Sequence, residues 1–162
     1  MQWSEVIANP YFQNLPFKIE LNRYGKIEMT PASNQHGRLQ SKISALLERK
    51  LKKGEALTEC SIQTTEGVKV ADVAWCSKAF IKEYGYTTPY PCAPELCVEI
   101  VSPSNSKQEM SEKVQLYLQA GAQEVWIVWE NGVVDYYGQA GQREQSAYVA
   151  GVAIEKIMRT HR

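Results

Sequence analysis

The chain has 162 residues, of which 44% are hydrophobic and 22% charged, and its 18 basic and 18 acidic side chains give a formal net charge of zero. This length predicts one domain over residues 1–162 with a proper hydrophobic core, and the ordinary composition excludes a disordered chain. The zero net charge excludes a bulk electrostatic attraction for nucleic acid. No apolar run approaches the roughly 20 residues that span a bilayer, and the N-terminus lacks signal-peptide features, so we expect a cytoplasmic protein without membrane contacts.

The first elements in chain order are two short strands and a helix. Residues 16–30 contain two strand-like runs on either side of a turn at residues 22–25. Apolar residues then recur at helical spacing, which predicts a helix over about residues 35–53 that ends at Gly54.

A second pair of strands follows. Residues 56–64 and 67–76 read as strands that are joined by a tight turn at Glu66-Gly67. A short helix is predicted over residues 77–85. An irregular loop is predicted over residues 86–94, because they are rich in Thr, Pro and Tyr.

The next apolar run, residues 94–101, reads as a buried strand and is followed by a helix. Ser106 and Glu109 form a capping-box signature at the start of this helix, and Gly121 is a plausible C-cap. The apolar stripe of the helix consists of Met110, Val114, Tyr117 and Leu118. Lys113 falls inside this stripe, which predicts that its side chain points toward the sheet.

The last predicted elements complete the sheet. Residues 123–129 read as a strand, and Asn131-Gly132 predicts a hairpin turn into residues 133–137. The strand–helix–strand unit over residues 95–129 predicts a parallel crossover, whereas the flanking strands look antiparallel. Together these elements predict an α/β fold with a mixed central β-sheet flanked by helices. No role is assigned to residues 138–162.

Two acidic residues interrupt strands that are otherwise apolar. Glu99 lies in the strand just before the turn-rich stretch Ser102–Ser106, and Asp72 shares one strand face with Val68, Val70 and Ala74. An ionised carboxylate in such a strand is costly unless it is paired, hydrogen-bonded or bound to a metal.

These two acids suggest a divalent metal site. Asp72 and Glu99 offer the hard oxygen ligands that Mg²⁺ or Mn²⁺ prefers, and the backbone carbonyl of Ile100 could add a third ligand. A metal there would lower the pKa of a bound water and stabilise charge on a phosphoryl oxygen. Lys113 could orient the attacking water or neutralise the developing charge, which suits phosphodiester hydrolysis. Spacing alone leaves open a buried ion pair with no catalytic role.

Three motifs carry a family resemblance. They are Glu28–Ser33 with His36; Val70–Val73; and Pro94–Asn105 followed by Lys113, Tyr117, Gly121 and Glu124–Trp126. Over roughly residues 17–137 they resemble the putative restriction endonuclease family, which has the PD-(D/E)XK nuclease fold. The stretch Glu-x-x-Ser-Pro-Ser that begins at Glu99 is the most specific part of this resemblance.

The resemblance implies a role for each candidate site residue. Asp72 and Glu99 would be the metal-binding acids, and Lys113 would be a catalytic lysine supplied from the following helix. The usual nuclease pattern places lysine two residues after the glutamate, where this chain has Val101. Ala71 replaces the usual proline before the aspartate, a change that affects backbone shape and leaves the acid in place.

Other polar residues carry alternatives. His36, at the start of the first long helix, could bind substrate phosphate, because helix N-termini attract anions, or it could serve as a capping or packing histidine. Glu20 and Glu28 are acids of the N-terminal strands that could complete a metal shell, and neither is assigned to the site. The four cysteines form no Cys-x-x-Cys motif and are expected to be reduced and structural.

The sequence therefore predicts a Mg²⁺-dependent or Mn²⁺-dependent endodeoxyribonuclease that hydrolyses DNA phosphodiester bonds. The alternative is a nuclease-like fold without catalysis that serves as a binding or assembly module. A homodimer is expected on either hypothesis, with an exposed aromatic hairpin near Trp129, Tyr136 and Tyr137 as the candidate interface.

Overall fold

A computed structural model describes residues 1–159, which form eight strands and five α-helices. The N-terminal half contains α1 (Trp3–Ala8), β1 (Phe17–Asn22), β2 (Ile27–Pro31), α2 (Asn34–Lys50), β3 (Gly54–Thr64), β4 (Gly67–Ser77) and α3 (Lys78–Tyr84). The C-terminal half contains β5 (Leu96–Ile100), α4 (Lys107–Gln119), β6 (Glu124–Val128), β7 (Val134–Gly138), β8 (Gly141–Arg143) and α5 (Gly151–Met158).

All eight strands belong to one mixed sheet in the order β2-β1-β4-β5-β6-β7-β8, with β3 paired to β4. Within residues 1–159, β5 and β6 are the one parallel pair of strands, because α4 connects them as a crossover helix. This arrangement confirms the predicted α/β fold with a mixed central sheet.

The long strand β4 is the centre of the sheet. Its pairing with β1 lies at Val68 and Gly67, whereas its pairing with β5 runs from Val73 to Trp75. Asp72 lies between these two paired stretches of β4. β1 and β5 therefore diverge from β4 around Asp72 and leave a fork in the sheet.

Two hydrophobic clusters cover the faces of the sheet. The apolar stripe of α4, including Met110 and Tyr117, packs with Cys97 and Ile127 on one face. α2 and α5 pack with Val98 and other strand residues on the other face. Almost every residue of β4 is buried on both faces of the sheet. The alternation of residues along β4 therefore does not distinguish a buried face from an exposed face at Asp72.

Some predicted boundaries were wrong for local reasons. α2 ends at Lys50 rather than near residue 53, and Gly54 begins β3 instead of closing the helix. A Cβ at Gly54 would clash with the carbonyl of Cys76 and the ring of Trp75, so glycine is needed there for close strand packing. The turn between β3 and β4 consists of Thr65 and Glu66, and Gly67 begins β4 with φ +93°.

The prediction that the aromatic hairpin near Trp129, Tyr136 and Tyr137 is exposed is also wrong. Tyr136 is buried against Trp126, and Trp129 and Tyr137 are partly buried. The indole N–H of Trp129 donates to Asp135 at 2.7 Å. Tyr136 therefore packs in the cluster on the α2 face of the sheet, and Trp129 and Tyr137 pack against the cluster on the α4 face.

Both ends of the described chain add elements that the sequence patterns did not predict. In α1, Trp3 and Val6 are buried against Leu21 of β1 and against β4. At the other end, Ile154 of α5 joins the α2 cluster. None of the helices within residues 1–159 has the length and apolar character needed to cross a membrane.

Candidate active site

The fork around Asp72 is filled by polar side chains. Oδ2 of Asp72 accepts a hydrogen bond from the backbone N–H of Ile100 at 2.7 Å. The carbonyl of Asp72 accepts from the Gln40 amide at 2.9 Å, and Gln40 also donates to Glu59 at 2.6 Å. Glu59 has φ +53°, an uncommon backbone conformation for a residue other than glycine. Side chains thus replace the sheet hydrogen bonds that are missing at this point of β4.

The ammonium group of Lys18, on β1, lies between the two predicted metal-binding acids. Its Nζ is 3.0 Å from Oδ1 of Asp72 and 3.0 Å from Oε2 of Glu99. The side chains of Asp72 and Glu99 are only 1% and 2% exposed, and that of Lys18 is 9% exposed. The two carboxylates therefore converge on one cation inside the protein.

Lys113 reaches the same cluster from α4, as its position in the apolar stripe predicted. Its Nζ is 2.6 Å from Oε1 of Glu20 and 3.3 Å from Oε1 of Glu99. The hydroxyl of Tyr117, one turn further along α4, donates to Oε1 of Glu99 at 2.6 Å. α4 thus supplies both an ammonium and a hydroxyl that hold Glu99 in place.

His36 contacts the cluster from the first turn of α2. Its Nε2 lies 3.2 Å from Oδ1 of Asp72, and its backbone N–H donates to the N-cap Ser33 at 3.1 Å. The hydrogen bond with Asp72 raises the pKa of His36 above its ordinary value, although burial opposes this shift. A protonated His36 is therefore favoured beside the carboxylate.

The acids of the cluster have different pKa shifts. Burial would raise the pKa of Asp72, but Lys18 and His36 outweigh burial and hold it well below the ordinary range. Burial raises the pKa of Glu99, and the nearby Asp72 and Glu20 add to this effect while Lys113 and Lys18 oppose it. For Lys18, burial is opposed by the attraction of Asp72, Glu99 and Glu20, and the net pKa shift is upward.

A small cavity of about 20 Å³ opens onto these groups. Its wall includes His36, Ile100, Ser102 and Asn105 beside the charged cluster. Asn105 Oδ1 accepts hydrogen bonds from the backbone and hydroxyl of Ser102, which fixes the loop after β5. The space suits about one water-sized group, and its rim carries polar side chains.

The structure thus brings together the side chains of Asp72, Glu99, Lys113 and His36, and Ile100 joins them through its backbone N–H. It adds Lys18, Glu20, Gln40 and Tyr117, which sequence reasoning did not assign. A signal existed for two of them, because Lys18 and Glu20 are two residues apart in β1 and share one face. Within residues 1–159, no group of three or more His, Cys, Asp and Glu side chains is arranged to hold a metal ion.

The comparisons with known proteins define the class. The profile of the putative restriction endonuclease family matches residues 4–157, so the chain belongs to that family of restriction-endonuclease-like nucleases. A crystal structure of a putative nuclease belonging to DUF820 from Anabaena variabilis is similar, with a TM-score of 0.76 over 98% of this chain and 99% of that chain. The two sequences are 18% identical, so this likeness shows the shared fold. No protein with a curated description matches the chain.

Proposed function

We propose that the protein is a Mg²⁺-dependent or Mn²⁺-dependent endonuclease that hydrolyses DNA phosphodiester bonds. One observation carries the proposal: two buried carboxylates from neighbouring strands approach a single cation, the ammonium of Lys18, at 3.0 Å each. Membership of a nuclease family supports the same reading.

The donor set fits a divalent cation of this kind. Asp72 and Glu99 would hold it, and the carbonyl of Ile100 would be the third protein ligand. When bound, the ion would activate water and stabilise charge on a phosphoryl oxygen. The contacts of Lys18 with both acids indicate that their oxygens can converge on a positive charge.

The other side chains have distinct roles in this proposal. Lys113, held between Glu20 and Glu99, orients the attacking water and neutralises negative charge that develops on the phosphate. His36 and the N-terminus of α2 bind the substrate phosphate, since both favour an anion. Tyr117 keeps the carboxylate of Glu99 in one orientation.

The test uses isosteric variants. Asp72→Asn and Glu99→Gln remove the charge but keep the size of the side chain and one hydrogen-bonding oxygen, whereas alanine would remove the charge and also leave a cavity. Each variant is expected to lower Mn²⁺-dependent nicking of a supercoiled plasmid by at least about a hundredfold. Glu28→Gln is the matched control, because Glu28 is an exposed acid on β2, which pairs with β1, and its substitution should leave nicking unchanged. If no DNA is cut with Mg²⁺ or Mn²⁺, or if both variants cut normally, the proposal fails.

A second candidate function is a nuclease-like module that binds or assembles without catalysis. The pairing of Lys18 with both acids favours it, because an ion pair already satisfies the carboxylates. Calorimetric titration with Mn²⁺ separates the two candidates. Binding that is lost in Glu99→Gln supports the endonuclease, and the absence of any heat supports the module.

We also propose a domain organisation, a location and an oligomeric state for the protein. Residues 1–162 would act as a single nuclease domain in the cytoplasm, and two copies would form a homodimer that places one site on each strand of a DNA duplex. The aromatic side chains of the hairpin pack against the two hydrophobic clusters, so they do not offer an exposed surface for the dimer interface. Sedimentation equilibrium tests the dimer, and a monomer mass at high concentration would exclude it.

A further inference from the structure

Lys18 stands out because its contacts belong to the two residues proposed as metal ligands. Its ammonium is within 3.5 Å of three carboxylates, those of Glu20, Asp72 and Glu99. A buried lysine with three acidic neighbours is firmly held, and burial with these partners strengthens each interaction.

The cluster is balanced in charge. Three buried carboxylates, Glu20, Asp72 and Glu99, meet the ammonium groups of Lys18, Lys69 and Lys113. A fourth pair of opposite charges lies at the edge of the cluster, where His36 contacts Asp72 and the exposed acid Glu28 contacts Lys69. Adding a divalent cation to this set would leave an uncompensated charge of two in a poorly solvated place. Removal of one ammonium would halve that excess, so a lysine and the divalent cation compete electrostatically for the same acids.

Geometry makes Lys18 the competing lysine. It alone of the three contacts both Asp72 and Glu99, whereas Lys113 contacts Glu99 and Glu20, and Lys69 contacts Glu20 and Glu28. The adjoining cavity, about 20 Å³, has no room for a further ion and its water shell beside the ammonium. An ion bound by both acids would therefore meet the Nζ of Lys18.

We infer that Lys18 is a built-in cation of the carboxylate cluster, and that a divalent metal binds Asp72 and Glu99 only by displacing its ammonium group. The inference rests on the proposed function, because it takes these two acids as the metal ligands. It makes Lys18 a residue that sets metal affinity and stabilises the protein when metal is scarce.

The test compares Lys18→Met with Lys69→Met. Both substitutions remove one similarly buried ammonium from the same cluster, but Lys69 contacts neither proposed ligand. By calorimetry with Mn²⁺ alone, Lys18→Met should bind roughly tenfold or more tightly than the natural chain. Lys69→Met should stay within about threefold, because its charge is further from the ligands.

Thermal unfolding gives a readout that is independent of catalysis. In EDTA, Lys18→Met should have a lower melting temperature than the natural chain, because the loss of the Lys18 ammonium leaves buried carboxylates uncompensated. Saturating Mn²⁺ should raise the melting temperature of Lys18→Met more than that of the natural chain. If circular dichroism shows that Lys18→Met does not fold, Lys18→Gln replaces the charge with amide donors and serves the same comparison.

The outcomes separate this inference from the proposed function. If the natural chain binds Mn²⁺ and Lys18→Met binds no more tightly, the inference is wrong while the metal site stands. If only Lys18→Met binds, the inference holds and the natural chain is the catalytically silent module. If neither protein binds Mn²⁺, both the inference and the proposed function fail.

Discussion

Replacing Tyr117 by phenylalanine isolates one hydrogen bond at the centre of the site. Tyr117 is fully buried, and its hydroxyl donates to Oε1 of Glu99 at 2.6 Å. Phenylalanine keeps the ring and its packing against the α4 face of the sheet. The substitution therefore changes the hydrogen bond and little else.

The magnitude follows from the environment of Glu99. Hydrogen bonds to charged groups contribute about 1.5–3 kcal/mol, and after the change Oε1 keeps Lys113 at 3.3 Å. We therefore expect a loss of about 2 kcal/mol in the free energy of unfolding. For a chain of this length that loss lowers the melting temperature by about 4–8 °C. The pKa of Glu99, which burial already raises, should rise further because the lost donor favoured the charged form.

Urea unfolding measures the loss of stability. If the slope of the unfolding free energy against urea concentration stays unchanged, the substitution has changed only the stability. Tyr148→Phe is the control, because its hydroxyl donates at 2.8 Å to the neutral amide of Gln123 near the surface. It should lose less than about 1 kcal/mol. In the double variant with Glu99→Gln, most of the Tyr117 effect should disappear, since the two changes remove one shared interaction. A Tyr117→Phe protein as stable as the natural chain, or strict additivity in the double variant, would refute the reasoning.

Two further predictions concern other buried charges. Glu124→Gln should destabilise the protein by about 3 kcal/mol in urea unfolding, because the buried carboxylate accepts four hydrogen bonds and an amide can accept on one side only. The exposed neighbour Glu144→Gln should stay within about 0.5 kcal/mol, and equal effects would contradict the role of Glu124. In EDTA, His36→Asn should be more destabilising at about pH 5.5 than at about pH 9. A histidine whose pKa is raised in the folded protein stabilises the fold fully at pH values below its ordinary pKa. This stabilisation is lost as the pH rises through the raised pKa. An equal effect at both pH values, or an effect that persists in the Asp72→Asn background, would show that the His36–Asp72 pair is not responsible.

Much of the site could be predicted because its acids break a strong local pattern. Glu99 stands out in an apolar run, and the phase of α4 places Lys113 among apolar residues that face the sheet. These signals depend on periodicity within one element, which a sequence records directly. The sequence therefore indicated three of the charged groups that the structure brings together.

Lys18 and Glu20 could not be assigned in the same way. Polar residues that alternate along a short strand are typical of a solvated face. Their burial arises because Lys113 of α4 reaches Glu20 and because β1 diverges from β4 beside Asp72. Both causes are contacts between distant parts of the chain, so the alternation of Lys18 and Glu20 in β1 shows that they share a face but not that this face is buried.

The C-terminal segment illustrates the same limit. Arg143, Ser146 and Ala147 show no periodicity, yet all three donate hydrogen bonds to the buried carboxylate of Glu124. This carboxylate fixes the path of the chain from β8 towards α5. Such a contact stabilises a segment through one distant acid, and spacing within the segment cannot reveal it.

The fork in the sheet explains why stability and the proposed chemistry share the same residues. Where β1 and β5 leave β4, backbone groups lose strand partners, and Asp72 and Gln40 supply replacements. The carboxylate of Asp72 then serves as a backbone acceptor through one oxygen and as a cation ligand through the other. A substitution that removes this acceptor oxygen, such as Asp72→Ala, therefore disturbs the sheet as well as the cation site. Variants that act through Lys18 or Tyr117 are cleaner tests, because these side chains contact the acids and leave the backbone pairing of the sheet intact.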